Sequence, residues 1–119
     1  MRNYKARLIC SMLFVIMSCQ YGVNFNIENK TPNNIDSLII SNGFNSIKLL
    51  DIELNAEKQG FLDFNKENPN LDGSFYIEIF SKESIRKKGF GYYSNGGPSN
   101  SCFNIKIEKD TIIIKEIFD

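Results

Sequence analysis

Asp51 and Glu53 are the pair of side chains in this sequence whose spacing first suggests chemistry, since residues two apart on a β-strand lie on the same face. Two carboxylates on one face could serve as the acid and base of a glycoside hydrolase. A solvated strand face accounts for the same spacing, and the chain contains no histidine, the usual general base. We therefore expect no catalytic residues and no enzyme, with a carboxylate-dependent hydrolase as the alternative.

A second candidate site is the segment Asn68-Pro69-Asn70-Leu71-Asp72-Gly73, which matches the first half of an EF-hand-like calcium loop. Oxygen-bearing side chains stand at alternate positions and a glycine follows them. However, one carboxylate is present among the three ligands, and Ile79 stands at the twelfth position, where a bidentate glutamate is needed. The segment therefore favours a plain turn, and we expect neither a metal nor a cofactor.

Cys19 is the residue whose surroundings predict a definite modification. Three Lys or Arg residues and no acid occur among the first seven residues, and a mostly apolar stretch from Leu8 to Met17 follows them. This is the pattern of a secretory signal. The apolar stretch is far shorter than the roughly 20 residues that a helix needs to cross a bilayer, so a permanent transmembrane span is not expected.

The residues Ile16-Met17-Ser18-Cys19 resemble the bacterial lipobox, with Ile16 at the aliphatic position and Ser18 at the small one. This resemblance implies that residues 1–18 are removed and that the thiol of Cys19 carries lipid. Each buried CH₂ of an acyl chain contributes about 0.8 kcal/mol of membrane affinity, so several chains anchor a protein firmly. The alternative is an ordinary signal peptide, in which case a Cys19 to Cys102 disulfide becomes the obvious expectation; with the lipobox we expect none.

The sequence of residues 19–119 resembles those of small Asn-, Ile- and Lys-rich lipoproteins of the Bacteroidetes. The segments that carry this likeness are Phe25-x-Ile27-x-Asn29-x-Thr31 and Gly91-Tyr92-Tyr93-Ser94-Asn95-Gly96. The resemblance implies a cellular location more than an activity. That location is the cell envelope, in particular the outer membrane facing the periplasm. Residues 1–18 hold three of the fourteen basic residues and none of the fourteen acidic ones, which leaves a net charge near −3 and argues against nucleic acid.

The segment from Phe90 to Tyr93 is the best candidate for contact with a partner. It leads into a glycine-rich loop that begins at Asn95, and tyrosine beside glycine and asparagine supplies rigid contact area with adaptable hydrogen bonding. We assign Tyr92, Tyr93 and Asn95 to partner binding, with an extension through Tyr76 and Phe80; the alternative is a second buried sheet face. Strand alternation predicts that Tyr92 faces the core with Phe90 and that Tyr93 faces solvent.

The basic run Arg86-Lys87-Lys88 is predicted to form a turn before this aromatic segment. Such a cluster could contact anionic lipid headgroups, since each basic residue near such a surface contributes about 1 kcal/mol. Three residues are few, and cations on edge strands commonly discourage aggregation. We favour the second interpretation.

The elements that must position all these residues are strands. In residues 19–119, Ala56 is the single alanine, whereas Ile, Val, Phe, Tyr and Thr together supply 31 positions. Alternation predicts a strand near residues 23–28, and a hairpin of residues 103–108 and 111–118 ends the chain. Further strands are predicted at 35–41, 44–54, 58–64, 74–81 and 89–93. Residues 19–119 are thus expected to form a single all-β domain, an antiparallel β-sandwich or small barrel of seven to eight short strands.

These observations together predict a membrane-anchored envelope lipoprotein that acts as a non-catalytic binding or interaction module. Its expected partners are the membrane, through Cys19, and a protein of the envelope. An immunity-type lipoprotein that neutralises a toxin is an alternative form of the same role.

Overall fold

All the regular structure in residues 21–118, the part of the chain that the computed structural model describes, is β-strand. The strands are β1 (Gly22–Lys30), β2 (Ile35–Ser41), β3 (Ser46–Ile52), β4 (Glu57–Asp63), β5 (Gly73–Phe80), β6 (Ile85–Ser94), β7 (Gly97–Pro98), β8 (Cys102–Glu108) and β9 (Ile112–Ile117). The all-β prediction is confirmed, with nine strands instead of seven or eight. No helix within these residues is long and apolar enough to span a membrane.

The strands form two sheets that face each other. The first, sheet A, has the order β4-β1-β8-β9, and the second, sheet B, has the order β3-β2-β5-β6-β7. Every neighbouring pair is antiparallel except β1 and β8, which are parallel. The predicted antiparallel sandwich thus contains one parallel pair, which joins strands far apart in sequence, as parallel pairing requires.

One end of the sandwich is called the proximal end here, because β1 begins there. Gly22 pairs with Asp63 at the end of β4, and Cys102 at the start of β8 pairs with Ile117 at the end of β9. The proximal end therefore comprises Tyr21, the 42–45 turn, the 64–72 and 95–101 loops, and Phe118. The opposite, distal end carries the turns 31–34, 53–56, 81–84 and 109–111.

The core consists of the inward-facing residues of both sheets, and aromatic rings dominate its proximal half. The rings of Phe25 and Phe103 are stacked with centroids 5.5 Å apart, and those of Phe75 and Phe90 are stacked at 5.6 Å. Phe64 packs at an angle against Phe75. Each buried side chain of this size contributes roughly 1.5–3 kcal/mol, so this cluster is a main source of stability.

The predicted basic turn at Arg86-Lys87-Lys88 is wrong, since these residues lie within β6. The Arg86 guanidinium donates to the carbonyl of Glu108 at 2.7 Å, and the Lys88 ammonium donates to the carbonyl of Ile112 at 3.1 Å. Both bonds run from sheet B to the β8–β9 side of sheet A. Two of the three cations thus join the sheets.

Asn29 is fully buried in β1 and uses both ends of its side-chain amide. Its Nδ2 donates to the carbonyls of Asn33 and Ile52, each at 2.9 Å, and its Oδ1 accepts from the backbone and the hydroxyl of Thr31. One side chain therefore holds the 31–34 turn and the end of β3 against β1.

Asn29→Ala is expected to lower the free energy of unfolding by about 2–3 kcal/mol, because each buried polar group left without a partner costs about 1–3 kcal/mol. Urea denaturation would measure it. The matched control is Asn34→Ala, since Asn34 is exposed and its side chain accepts one hydrogen bond, from Leu54. That control should change stability by no more than about 0.5 kcal/mol, and equal effects of the two substitutions would contradict the role given to Asn29.

Candidate functional site

The aromatic segment lies in β6 and contains a β-bulge. Gly73 of β5 pairs with Tyr93, but Phe75 pairs with Phe90. β6 therefore has two residues between these pairs where β5 has one. An extra residue in one strand shifts the alternation of all the side chains that follow it.

Gly91 makes the bulge possible. Its φ of +66° lies in the left-handed region, which glycine adopts without steric cost. A Cβ at this position would lie 2.8 Å from Cζ of Phe103 and 2.9 Å from Cδ2 of Phe75, which is closer than real Cβ contacts. The bulge is thus specified by a glycine that faces two core rings.

The bulge reverses the faces that alternation predicts for the two tyrosines. Tyr93 is 5% exposed and its hydroxyl donates to the carbonyl of Asn42, whereas Tyr92 is 54% exposed. Burial raises the pKa of Tyr93 above its ordinary value. The assignment of Tyr93 to a partner-binding surface is therefore wrong, because its ring is part of the core. Phe90 packs against the core as predicted.

Asn95 and the loop around it are held by the preceding 64–72 loop. The Nδ2 of Asn68 donates to the carbonyl of Gly96 at 2.7 Å, and the amide of Gly96 donates to the carbonyl of Leu71 at 2.9 Å. The Oδ1 of Asn68 accepts a hydrogen bond from the backbone amide of Asn70 at 2.8 Å. The segment that resembles half a calcium loop thus uses Asn68 to join two loops. Within residues 21–118, no group of three or more His, Cys, Asp or Glu side chains could hold a metal.

Asp72 completes the link between the two loops. Its carboxylate accepts a hydrogen bond from the backbone amide of Asn95 at 2.9 Å. This bond, with smaller contributions from the hydroxyls of Tyr92 and Ser94, lowers the pKa of Asp72. Tyr92 and Asn95 are therefore held near one carboxylate, although the side chain of Asn95 is exposed.

Two exposed tyrosines and one ion pair form a surface on the outer side of β5 and β6, which we call the tyrosine face: Tyr76, Glu78, Lys87, Gly89 and Tyr92. Tyr76 pairs with Gly89, whose missing side chain leaves a shallow depression of about 370 Å³ beside the tyrosine ring. Glu78 and Lys87 pair directly and form a salt bridge of 3.5 Å. The surface combines aromatic area with charges of both signs.

A row of mostly apolar side chains crosses sheet B beside the tyrosine face. Leu50, Ser37, Phe80 and Ile85 lie opposite one another on four neighbouring strands, and Leu50 and Ile85 are exposed. The outer face of sheet B therefore presents large apolar side chains on both sides of a single ion pair.

The outer face of sheet A has a different character. Gln59, Asn26, Asn104 and Lys115 form a row across its four strands, and Nδ2 of Asn26 donates to Oδ1 of Asn104 at 2.8 Å. A groove of about 430 Å³ follows this row. Exposed polar amides of this kind are typical of a solvated sheet, so sheet B offers the better surface for association.

The carboxylates of Asp51 and Glu53 are both exposed, at the distal end of β3 and just after it. Asp51 has a φ of +53°, an uncommon conformation for a residue other than glycine, and the buried Ile52 separates the two. The spacing thus places both carboxylates in solvent. Cys19 and the rest of the lipobox-like segment lie outside the described residues.

The fold and this surface define the class of the protein, a small two-sheet β domain with one aromatic outer face. No protein-family model matches the sequence, and no curated protein matches it. The fold is similar to the NMR structure of a protein from Eubacterium rectale, with a TM-score of 0.52 and 9% sequence identity over 83% of this chain and 91% of that chain. At that identity the likeness concerns the fold alone.

Proposed function

We propose that the protein is a lipid-anchored lipoprotein of the cell envelope and acts as a non-catalytic binding module, with the tyrosine face as the contact for an envelope protein. The observation that carries this proposal is the exposure of Tyr76 and Tyr92 on the outer side of sheet B, with the Glu78–Lys87 ion pair beside Tyr76. Tyrosine is enriched at protein interfaces because a large ring buries area at a small entropic cost while its hydroxyl stays hydrogen-bonded.

The surroundings of the two tyrosines support a protein as the partner. The central ion pair provides charges of both signs, which fix the register of a partner more than they add to affinity. Leu50 and Ile85 continue the surface with exposed apolar area. Aromatic residues are enriched in protein interfaces, whereas lysine and glutamate are depleted from their centres, so the two tyrosines and the aliphatic side chains are the expected anchors and the ion pair sets the register.

The anchor part of the proposal comes from the lipobox-like residues that end at Cys19. Lipidation there would hold the domain at the periplasmic side of the outer membrane, where a protein partner of the envelope would meet it. An immunity-type role is one form of this function, in which the partner is a toxin.

The proposal is tested with a photocrosslinking amino acid placed at position 76 of the full chain in cells, and at position 113 as a control. Ile113 is exposed on the outer side of sheet A, so it matches Tyr76 in exposure but not in location. We expect a discrete crosslinked protein from position 76 and none from position 113.

Tyr92→Ala in the same chain should reduce that crosslink at least tenfold, because truncation of a tyrosine anchor costs 1.4 kcal/mol or more. The measured stability of the domain should stay the same. Equal crosslinking from both positions, or a crosslink that Tyr92→Ala leaves unchanged, would contradict a partner contact at the tyrosine face.

A further inference from the structure

Three large apolar side chains are exposed at the proximal end of the sandwich. Tyr21 is 44% exposed, Leu71 64% and Phe118 63%. They come from three separate segments of the chain: the residue before β1, the 64–72 loop and the residue after β9. Their common location is therefore a product of the tertiary fold.

Packing and backbone hydrogen bonds fix the positions of these three residues. The ring of Tyr21 packs edge-on against the buried ring of Phe64, with centroids 6.4 Å apart. The carbonyl of Leu71 accepts from the amide of Gly96, and Phe118 directly follows Ile117, the residue that pairs with Cys102. The proximal end thus presents its apolar groups from fixed positions.

The tether to the proposed anchor is very short. Cys19 precedes Tyr21 by two residues, and an extended chain spans at most about 3.6 Å per residue, so the lipid-bearing residue lies within roughly 7 Å of Tyr21. The end of the domain that carries Tyr21 must then be the one nearest the lipid. Tyrosine is enriched at the boundary between membrane and water, where its ring contacts apolar chains and its hydroxyl stays hydrated.

We infer that the proximal end lies directly in the headgroup layer of the anchoring membrane, with Tyr21, Leu71 and Phe118 in contact with lipid; this inference rests on the proposed lipidation of Cys19. It places the sheets upright on the membrane. The tyrosine face then stands to the side, accessible to a partner that is itself near the membrane surface.

The charges at the two ends determine the lipid chemistry of this contact. Asp63 at the end of β4, together with Glu67 and Asp72 of the 64–72 loop, outweighs Lys66, so this end offers no attraction to anionic headgroups. The basic run that begins at Arg86 starts at the distal end of β6, far from the anchor. The contact is therefore apolar and aromatic, and zwitterionic lipid suffices for it.

The chain contains no tryptophan, so a single introduced tryptophan reports on its own position. Leu71→Trp and Phe118→Trp place the reporter at the proximal end, and Leu54→Trp places it at an exposed position of the distal end as a control. The full acylated chain is reconstituted into phosphatidylcholine vesicles with and without brominated acyl chains. We expect several-fold stronger quenching at positions 71 and 118 than at position 54, unchanged when a fifth of the lipid is replaced by phosphatidylglycerol.

The outcomes separate this inference from the proposed anchor. A chain that floats with the vesicles but is quenched equally at positions 71 and 54 overturns the membrane contact and leaves the anchor intact. A chain that carries no lipid and does not float overturns the anchor and the inference with it. Quenching at position 71 that requires the anionic lipid overturns the apolar character of the contact.

Discussion

Replacing Tyr93 by alanine is expected to lower the free energy of unfolding by about 3–5 kcal/mol, whereas Tyr92→Ala should change it by about 0.5 kcal/mol at most. The ring of Tyr93 lies between Phe44, Phe64 and Phe75, with centroid distances of 5.3 to 6.1 Å. Its removal leaves a cavity that these rings cannot fill. The ring of Tyr92 is mostly in water, so its removal takes away little packing.

Urea denaturation of the wild type, Tyr93→Ala and Tyr92→Ala measures both effects. Tyr93→Phe separates the contribution of the Tyr93 ring from that of its hydroxyl. That variant keeps the aromatic packing but leaves the carbonyl of Asn42 without its donor, which should cost about 1–2 kcal/mol. If Tyr92→Ala destabilised the domain more than Tyr93→Ala, β6 would have to be regular through Gly91, and the bulge would be refuted.

Cys19→Ala is expected to abolish acylation and release from the signal peptide, and with them stable attachment to the membrane. The reason is that the thiol is the proposed attachment point, and each acyl CH₂ in the bilayer contributes about 0.8 kcal/mol of affinity. Metabolic labelling with a fatty-acid analogue, followed by separation of membranes, measures both losses.

Cys102→Ser is the matched control for that experiment. Cys102 lies in β8 of the folded domain, and its Sγ accepts from the side-chain amide of Asn26 at 3.4 Å. Replacing Cys102 should therefore leave labelling at the wild-type level. Labelling that survives in Cys19→Ala would refute the lipobox, and the alternative disulfide between Cys19 and Cys102 could then be sought on a non-reducing gel.

The proposed membrane contact and the proposed partner contact both involve the proximal half of the domain. Leu71 and Asn95 lie in loops that share hydrogen bonds through Gly96 and Asp72. A substitution that loosened these loops would disturb both surfaces. Leu71→Trp and Phe118→Trp, the variants that test the membrane contact, therefore change exposed side chains and leave the backbone hydrogen bond between Gly96 and Leu71 in place.

Short-range pattern in the sequence was enough to predict the strands whose alternation is unbroken. β2 has the bounds predicted for it, Ile35–Ser41, and the β8–β9 hairpin forms with a turn at residues 109–111. The exposure of Tyr92 was not predicted, since alternation placed this ring in the core with Phe90. The strand predictions depend only on residues close together in the chain.

The sequence by itself determined that residues 21–118 form an all-β domain, because β-branched and aromatic residues alternate with polar ones along nearly every strand. The tertiary structure alone decided which tyrosine is buried and that β1 pairs in parallel with β8. The period-2 rule holds only until a bulge adds a residue, and the bulge places the backbone of Gly91 against the rings of Phe75 in β5 and of Phe103 in the other sheet, where a Cβ has no room. Partner strands separated by most of the chain leave no local pattern, so their pairing is fixed by packing.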